Sequence, residues 1–155
     1  MGLNMMGSLE AWLSLRTLHL RVPRQSENAT GLAQWLAKAA GGNVHDGIPA
    51  GVIEKLEGGH PTTSYDCVDA EPTPVFARQT TKDRYAALLP HAVKYFIPAT
   101  SLDGVEELME PRITSDPRAD PRLVHLSVGV EELEDLKDDL RRAFQEIVKS
   151  TKAKL

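Results

Sequence analysis

The stretch Leu123-Val-His-Leu-Ser-Val-Gly-Val-Glu-Glu-Leu-Glu-Asp-Leu136 joins a strand directly to a long helix, and the other elements are arranged around this pair. Alternation along the strand predicts one apolar face and one polar face, and the polar face carries His125 and Ser127. The helix has acidic residues in its first turns and lysines near its end, as the helix dipole favours. The apolar face of the strand consists of Val124, Leu126 and Val128, and the apolar stripe of the helix consists of Leu133, Leu136, Leu140, Phe144 and Ile147.

The N-terminal part of the chain is predicted to be helical in two segments. The first, residues 8–22, is apolar over much of its circumference, which is usual for a helix packed on two sides. Pro23 is expected to kink or end it. The second segment, residues 27–39, has one apolar face, and Gly41-Gly42 is expected to stop it. The apolar residues are Leu9, Trp12, Leu13, Leu15, Leu18, Leu20 and Val22 in the first segment and Leu32, Trp35, Leu36 and Ala39 in the second.

The middle of the chain predicts short strands separated by helices. Residues 52–56, 75–77 and 93–97 are predicted as strands, and residues 82–89 and 103–109 as helices that end before Pro90 and Pro111. This order predicts an α+β fold with a small, mostly antiparallel sheet, helices packed on one side, and long N-terminal and C-terminal helices. Several connections are too short for the crossovers that a parallel sheet requires. We expect residues 1–155 to form a single domain.

Composition narrows the class of protein. The formal charge of −4 gives no electrostatic reason to bind nucleic acid or an anionic membrane, and we expect neither partner. Cys67 is the only cysteine, so no internal disulfide can form and a reducing compartment, the cytoplasm, is expected. The sequence predicts no signal peptide. We also expect no metal site, because the histidines lack ligand spacing with Cys67.

Two stretches resemble a known family. Pro98-Ala-Thr-Ser-Leu-Asp-Gly-Val-Glu-Glu-Leu-Met-Glu110 and the stretch from Leu123 to Leu136 are similar to the C-terminal domain of the pyridoxal-phosphate (PLP)-dependent trans-sulfuration enzymes, the cystathionine γ-synthases and γ-lyases and their relatives. That family typically reads "SLGG(V)ES(L)" and later "L(V)RLSVG(I/L)ED(V)EDL". The segment Leu18-His-Leu-Arg-Val-Pro-Arg-Gln-Ser-Glu-Asn-Ala29 looks like the helix that follows the family's cofactor-lysine segment.

The resemblance implies PLP as the cofactor, held in the family by a lysine on a larger upstream domain. A lysine is needed because only a neutral amine forms the imine, and burial lowers its pKa. No lysine of this chain lies in a matching segment. We therefore expect no catalytic residue here, no cofactor-binding residue and no covalent binding of PLP to this chain alone.

The resemblance also implies three substrate-binding positions. His125 occupies the place of the family arginine that clamps the substrate carboxylate through two parallel hydrogen bonds, and a histidine offers only one. Ser101 matches the serine that completes the carboxylate pocket, and Thr100 matches the position that faces the substrate side chain. The alternatives are that His125 is simply a histidine on the polar face of a strand, and that Asp103, which replaces a family glycine, is a helix cap.

Two functions follow as hypotheses. The chain could be the C-terminal portion of a trans-sulfuration enzyme, inactive alone and completed by a PLP-domain subunit, with a sulfur amino acid as substrate once assembled. The alternative is a non-catalytic domain that binds a complete paralogue or another subunit and modulates it. The broad apolar surface of the first helix predicts a protein partner under either hypothesis.

Overall fold

The structure is a computed structural model that describes residues 5–57, 75–80, 82–99 and 105–152. Ten segments of regular structure follow one another along the chain. They are the helix α1 (Met5–Lys38), a 3-10 turn (Ala40–Gly42), the strands β1 (Ile53–Glu57) and β2 (Val75–Thr80), the helix α2 (Asp83–Ala92), the strands β3 (Ile97–Pro98) and β4 (Leu108–Pro111), a second 3-10 turn (Arg112–Thr114), the strand β5 (Leu123–Ser127) and the helix α3 (Leu133–Lys152), counted over the described ranges.

The five strands form one sheet in the order β1-β2-β5-β4-β3. Three of the neighbouring pairs, β1–β2, β2–β5 and β4–β5, are antiparallel, and the short pair β3–β4 is parallel. The predicted α+β fold with a small, mostly antiparallel sheet is therefore confirmed. β5 lies at the centre of the sheet, and Val124 and Leu126 on its apolar face are fully buried.

The helices cover the apolar face of the sheet. α3 buries the predicted stripe, of which Leu136, Leu140 and Phe144 are fully inaccessible to solvent. The second half of α1 packs beside the start of α3 at Gly31, where a Cβ atom would stand 2.6 Å from the Cδ2 of Leu133. A larger residue at this position would force the side chain of Leu133 to move. The predicted apolar face of residues 27–39 is confirmed, since Leu32, Trp35, Leu36 and Ala39 all lie in the core.

Pro23 was expected either to kink the first helix or to end it. It does not end the helix, because α1 continues through Pro23 to Lys38. A proline inside a helix removes one hydrogen bond and costs about 3 kcal/mol. Contacts just after Pro23 offset this cost. The guanidinium of Arg24 donates to the carbonyl oxygens of Val130 and Glu131, and Asn28 donates to those of Gly129 and Glu131.

Two predictions in the middle of the chain are wrong in part. α2 does not end before Pro90 but continues to Ala92. Residues 93–96 are not a strand, because the amides of Lys94 and Tyr95 donate to the carboxylate of Asp139 at 2.8–3.0 Å instead of to a neighbouring strand. Strand β3 is therefore restricted to Ile97–Pro98.

The predicted helix over residues 103–109 is also wrong where the structure describes it. Leu108–Pro111 is strand β4, which pairs with β5 and places Met109 opposite Leu126. Met109 is fully buried in the core. The gain from this burial and from the ladder outweighs the local preference for a helix, as tertiary context often does.

The first half of α1 contrasts with the rest of the molecule. The side chains of five large apolar residues are 44 to 68% exposed, so within the described ranges this segment lacks the two-sided packing expected of it. They are Trp12, Leu13, Leu15, Leu18 and Leu20. No helix of the described residues is long and apolar enough to cross a membrane.

Candidate functional site

His125 lies on β5 and points away from the core, as the alternation predicted. Its neighbours on either side in the strand, Val124 and Leu126, are buried on the opposite face. Across the sheet, His125 is paired with Glu110 of β4 and with Ala77 of β2. The sheet therefore places a histidine and a carboxylate side by side on its polar face, because directly paired residues project to the same side.

Burial lowers the pKa of His125 below its usual value, and the nearby guanidinium of Arg112 lowers it further, while Glu110 acts in the opposite direction. The imidazole is accordingly neutral at neutral pH. A neutral imidazole offers one N–H donor and one acceptor, whereas the bidentate grip on a carboxylate needs a guanidinium. His125 can therefore hydrogen-bond a ligand but cannot clamp a carboxylate as an arginine does.

Glu110, Arg112 and Ser127 surround His125 with polar groups. Glu110 is 5% and Ser127 7% exposed, so both are nearly inaccessible to solvent. The Nη1 of Arg112 lies 3.7 Å from the Oε2 of Glu110, an ion pair without a close hydrogen bond. Within the described ranges, the Oε2 of Glu110, the Nε2 of His125 and the Oγ of Ser127 are buried and have no hydrogen-bond partner. Unpaired polar atoms are costly to bury, so this face is equipped to accept a polar ligand group.

Sequence reasoning did not place Glu110 in this site. Residues 103–109 were predicted as a helix, and only the pairing of β4 with β5 puts Glu110 opposite His125. Thr100, Ser101 and Asp103 lie outside the described residues, so their predicted roles stay predictions, as does the role of His125 in substrate binding.

An apolar cleft of about 440 Å³ lies between α2 and the β3–β4 edge of the sheet. Pro90 and His91 line it from α2, and Met109 and Ile113 line it from the sheet side. Glu110 belongs both to this cleft and to the polar face around His125. Met109 and Glu110 are consecutive in β4, so their side chains project to opposite faces of the sheet, and the cleft and the polar face are neighbours rather than one pocket.

The lysines that the structure describes do not fit the cofactor that the resemblance implies. A lysine that forms an imine at neutral pH has to be partly desolvated. Lys137 is half-buried and bound to the carboxylate of Glu134 at 2.7 Å. The remaining described lysines are exposed: Lys38, Lys55, Lys82, Lys94, Lys149 and Lys152. In the same ranges, no three side chains of the types that bind metals are grouped so that they could hold a metal ion.

Comparison with known proteins places these features in a family. The family model of Cys/Met metabolism PLP-dependent enzymes matches residues 2–145. The chain is 34% identical over 146 residues to a putative cystathionine gamma-lyase of Streptomyces coelicolor, covering 90% of this chain and 35% of that protein. It is 32% identical over 151 residues to the cystathionine gamma-synthase of Mycobacterium bovis, covering 89% of this chain and 37% of that protein.

A solved structure gives the same result. The fold matches apo methionine gamma lyase from Micromonospora echinospora with a TM-score of 0.64 and 27% identity, over 84% of this chain and 35% of that one. The chain thus spans little more than a third of the length of the relatives it matches. A family match over nearly the whole chain, joined to the same fold, shows that this chain belongs to the Cys/Met-metabolism PLP-dependent enzymes.

Proposed function

We propose that this chain is the C-terminal, substrate-side portion of a PLP-dependent trans-sulfuration enzyme of the cystathionine γ-synthase or γ-lyase type. The observation that carries the proposal is the alignment of 90% of the chain with only 35% of a putative cystathionine gamma-lyase. The 155 residues by themselves do not turn over sulfur amino acids, because their described lysines are exposed or bound to a carboxylate and do not fit a covalent cofactor site.

The partner in this proposal is a PLP-domain subunit, and its docking surface is the exposed first half of α1. Large apolar side chains that stay half-exposed along one helix mark an interaction surface. Leu15 and Leu20 are the most exposed of them, at 68% and 63%. Burying such side chains against a partner would contribute about 1.5–3 kcal/mol each.

The substrate in the assembled protein is a sulfur amino acid, whose carboxylate meets the polar face of the sheet. Thr100 and Ser101 contribute to this contact by resemblance, and His125 contributes one hydrogen bond. Since a neutral histidine replaces a guanidinium, carboxylate binding is weaker than in a relative with arginine. His125→Arg is therefore expected to strengthen binding in the assembled enzyme.

The test of the proposal is a titration of the purified chain with PLP, read by absorbance and by borohydride trapping with peptide mapping. We expect no saturable adduct on any one lysine and no turnover of cystathionine. A specific adduct or turnover by the chain alone would overturn the proposed inactivity. Restoration of turnover by adding a separately produced PLP domain would support the assignment.

A second candidate function is a non-catalytic domain that binds and modulates a complete relative. The neutral His125 favours it, because a modulator has no need of a carboxylate clamp. The two functions differ in a mixing experiment. A modulator changes the kcat or KM of a complete cystathionine γ-synthase, whereas a substrate-side portion restores activity to an isolated PLP domain and leaves the complete enzyme unchanged.

A further inference from the structure

Arg112 stands beside the polar face of the sheet that carries His125. It begins the 3-10 turn that follows β4, two residues after Glu110. Glu110 is paired with His125 across the sheet, and its Oε2 lies 3.7 Å from the Nη1 of Arg112. The guanidinium is also close enough to the imidazole to lower the pKa of His125. The turn therefore brings a guanidinium next to the strand position that His125 occupies.

The guanidinium of Arg112 has hydrogen-bonding capacity that its contacts do not use. At 3.7 Å, its ion pair with Glu110 is too long for a hydrogen bond. Over the described ranges, no other carboxylate pairs with Arg112. A guanidinium carries five N–H donors in a planar fork. Two parallel N–H groups of Arg112 are therefore available to a carboxylate that does not belong to this chain.

The four polar side chains of this face differ in exposure. Glu110 and Ser127 are buried, whereas His125 is half-buried. The side chain of Arg112 is 36% exposed, which is far more than the 6% of Glu110. A ligand that approaches from solvent therefore meets the guanidinium first, with the imidazole beside it. The buried carboxylate of Glu110 holds the guanidinium in place from behind.

The charges of this face favour a small monoanion over a dianion. Glu110 offsets the charge of Arg112, and His125 is neutral at neutral pH because burial and Arg112 lower its pKa. A guanidinium that is already partly neutralised does not balance two further negative charges. Its planar fork also matches the two oxygens of a carboxylate. A carboxylate therefore fits this face better than a phosphate dianion does.

We propose that Arg112 supplies the guanidinium clamp for the carboxylate of the ligand, in place of the family arginine that His125 replaces. The inference rests on the proposed function, which brings a substrate carboxylate to this face. Two N–H groups of Arg112 donate to the two carboxylate oxygens, and His125 donates one further hydrogen bond. Glu110 is a positioning residue, because it attracts the guanidinium without occupying its N–H donors.

The test is an NMR titration of the full 155-residue chain with sodium propionate at constant ionic strength, with propionamide and inorganic phosphate as comparison ligands. We expect saturable shifts of the amides of Glu110, Arg112 and His125. The Kd should be on the order of 1–10 mM, because only a few hydrogen bonds form. Propionamide and phosphate should each bind at least about tenfold more weakly than propionate. The titration needs neither PLP nor turnover.

Variants separate a binding role of Arg112 from a structural one. Arg112→Gln should weaken propionate binding at least about tenfold, because a charge-assisted pair of hydrogen bonds is lost. Arg118→Gln is the matched control, since that side chain is 93% exposed, and it should bind as the wild type does. Glu110→Gln should tighten binding at least about threefold, because it removes a like charge beside the ligand.

A conservative variant keeps the test open if Arg112→Gln does not fold, as judged by circular dichroism. Arg112→Lys retains the positive charge beside Glu110 but loses the planar fork. It should therefore fold and still bind propionate more weakly than the wild type. Binding of propionate by Arg112→Lys as tight as that of the wild type would contradict the two-hydrogen-bond clamp.

Three other outcomes would overturn the proposal. The first is the lack of any saturable shift when propionate is added to the wild type. The second is equal binding by Arg112→Gln and the wild type, which would assign the carboxylate to His125 alone. The third is phosphate binding as tight as that of propionate, which would indicate a general attraction of anions. None of these outcomes decides the proposed function, because that is tested separately by the PLP titration and by restoration of turnover.

Discussion

The two halves of α1 belong to one helix and have similar apolar content, yet the structure treats them in opposite ways. In the second half, Leu32 and Leu36 are fully buried and Trp35 is 6% exposed. In the first half, Leu15 and Leu20 are more than 60% exposed. The nearby contacts of the first half are local, such as the guanidinium of Arg16 4.5 Å over the ring of Trp12.

The two halves differ in burial because, in the described part of the chain, only the second half contacts other elements of the molecule. The second half is fastened to the rest of the molecule at both ends. Asn28 binds the carbonyls that precede α3, and the indole of Trp35 donates to Asp46 at 2.8 Å, which also pairs with Arg141 of α3. The first half extends beyond these contacts. Apolar content alone therefore does not make a core, and one helix can be buried along one half and exposed along the other.

The largest effect that separates the two halves should come from Leu36→Ala. Removing a fully buried leucine leaves a cavity and is expected to lower the free energy of unfolding by about 2–5 kcal/mol. Urea denaturation followed by circular dichroism measures the change. Leu15→Ala is the matched control on the exposed half, and an equal loss in both variants would show that the first half is packed in solution.

Asn28→Ala tests the hydrogen bonds that attach α1 to the turn before α3, rather than the packing of the core. The side chain is 2% exposed and donates to the carbonyl of Glu131 at 2.7 Å and to that of Gly129 at 3.1 Å. Its loss leaves buried carbonyls unpaired and should cost about 1–3 kcal/mol. The same denaturation experiment applies, with Glu27→Ala on the exposed side of the helix as control. A stability equal to that of the control would contradict the role assigned to Asn28.

The stability of the chain should also fall as the pH rises, because the buried carboxyl of Glu107 lies beside the carboxyl of Glu131. The pKa of Glu107 is raised to about 8 from 4.5, so between these values the folded state holds a proton that the unfolded state has lost. Stability from this group is fully present below about pH 4.5 and is lost as pH rises through about 8. With solvent screening at the exposed Glu131, we expect a loss of roughly 2 kcal/mol.

This pH effect is measured as the difference in unfolding free energy between the wild type and Glu107→Gln. The difference should change in favour of the variant as the pH is raised, since glutamine does not titrate. A difference that stays constant over the same range would mean that Glu107 is not protonated in the folded state.

The smallest effect on stability should come from Leu15→Gln. An exposed leucine contributes little to the folded chain, so the free energy of unfolding should change by less than about 0.5 kcal/mol. Binding should change more, because Leu15 belongs to the proposed docking surface. Sedimentation of the chain with a PLP domain measures this, and a variant that binds as tightly as the wild type would remove Leu15 from that surface.

Much of the fold was predictable from local patterns. The alternation along β5 predicted its buried and polar faces, and the stripe of α3 predicted Leu136, Leu140 and Phe144 in the core. β4 was not predictable, because Leu108 to Glu110 carry no alternation and only the ladder with β5 makes them a strand. Asp139 was missed as well. Its position beside Leu136 and Leu140 was a signal, since an acidic residue at the edge of a buried stripe needs partners.

The candidate site likewise has one part that the sequence predicted and another part that only the strand pairing decided. His125 and its direction followed from the sequence, because side chains alternate along any strand. Glu110, Arg112 and Ser127 became its neighbours only through the pairing of β4 with β5 and the turn that follows β4. Partners across a sheet are set by register, which depends on the whole packing arrangement.

The sequence by itself determined the family resemblance and the α+β class, and it predicted through that resemblance that His125 stands where the family has an arginine, since these depend on residue identity and short-range periodicity. Only the tertiary structure decided which half of α1 is buried, where Pro23 lies in a continuous helix, and that Glu107 faces Glu131 beside Gly129. These features depend on contacts between residues far apart in the chain, and local patterns do not contain the distances that bring such residues together.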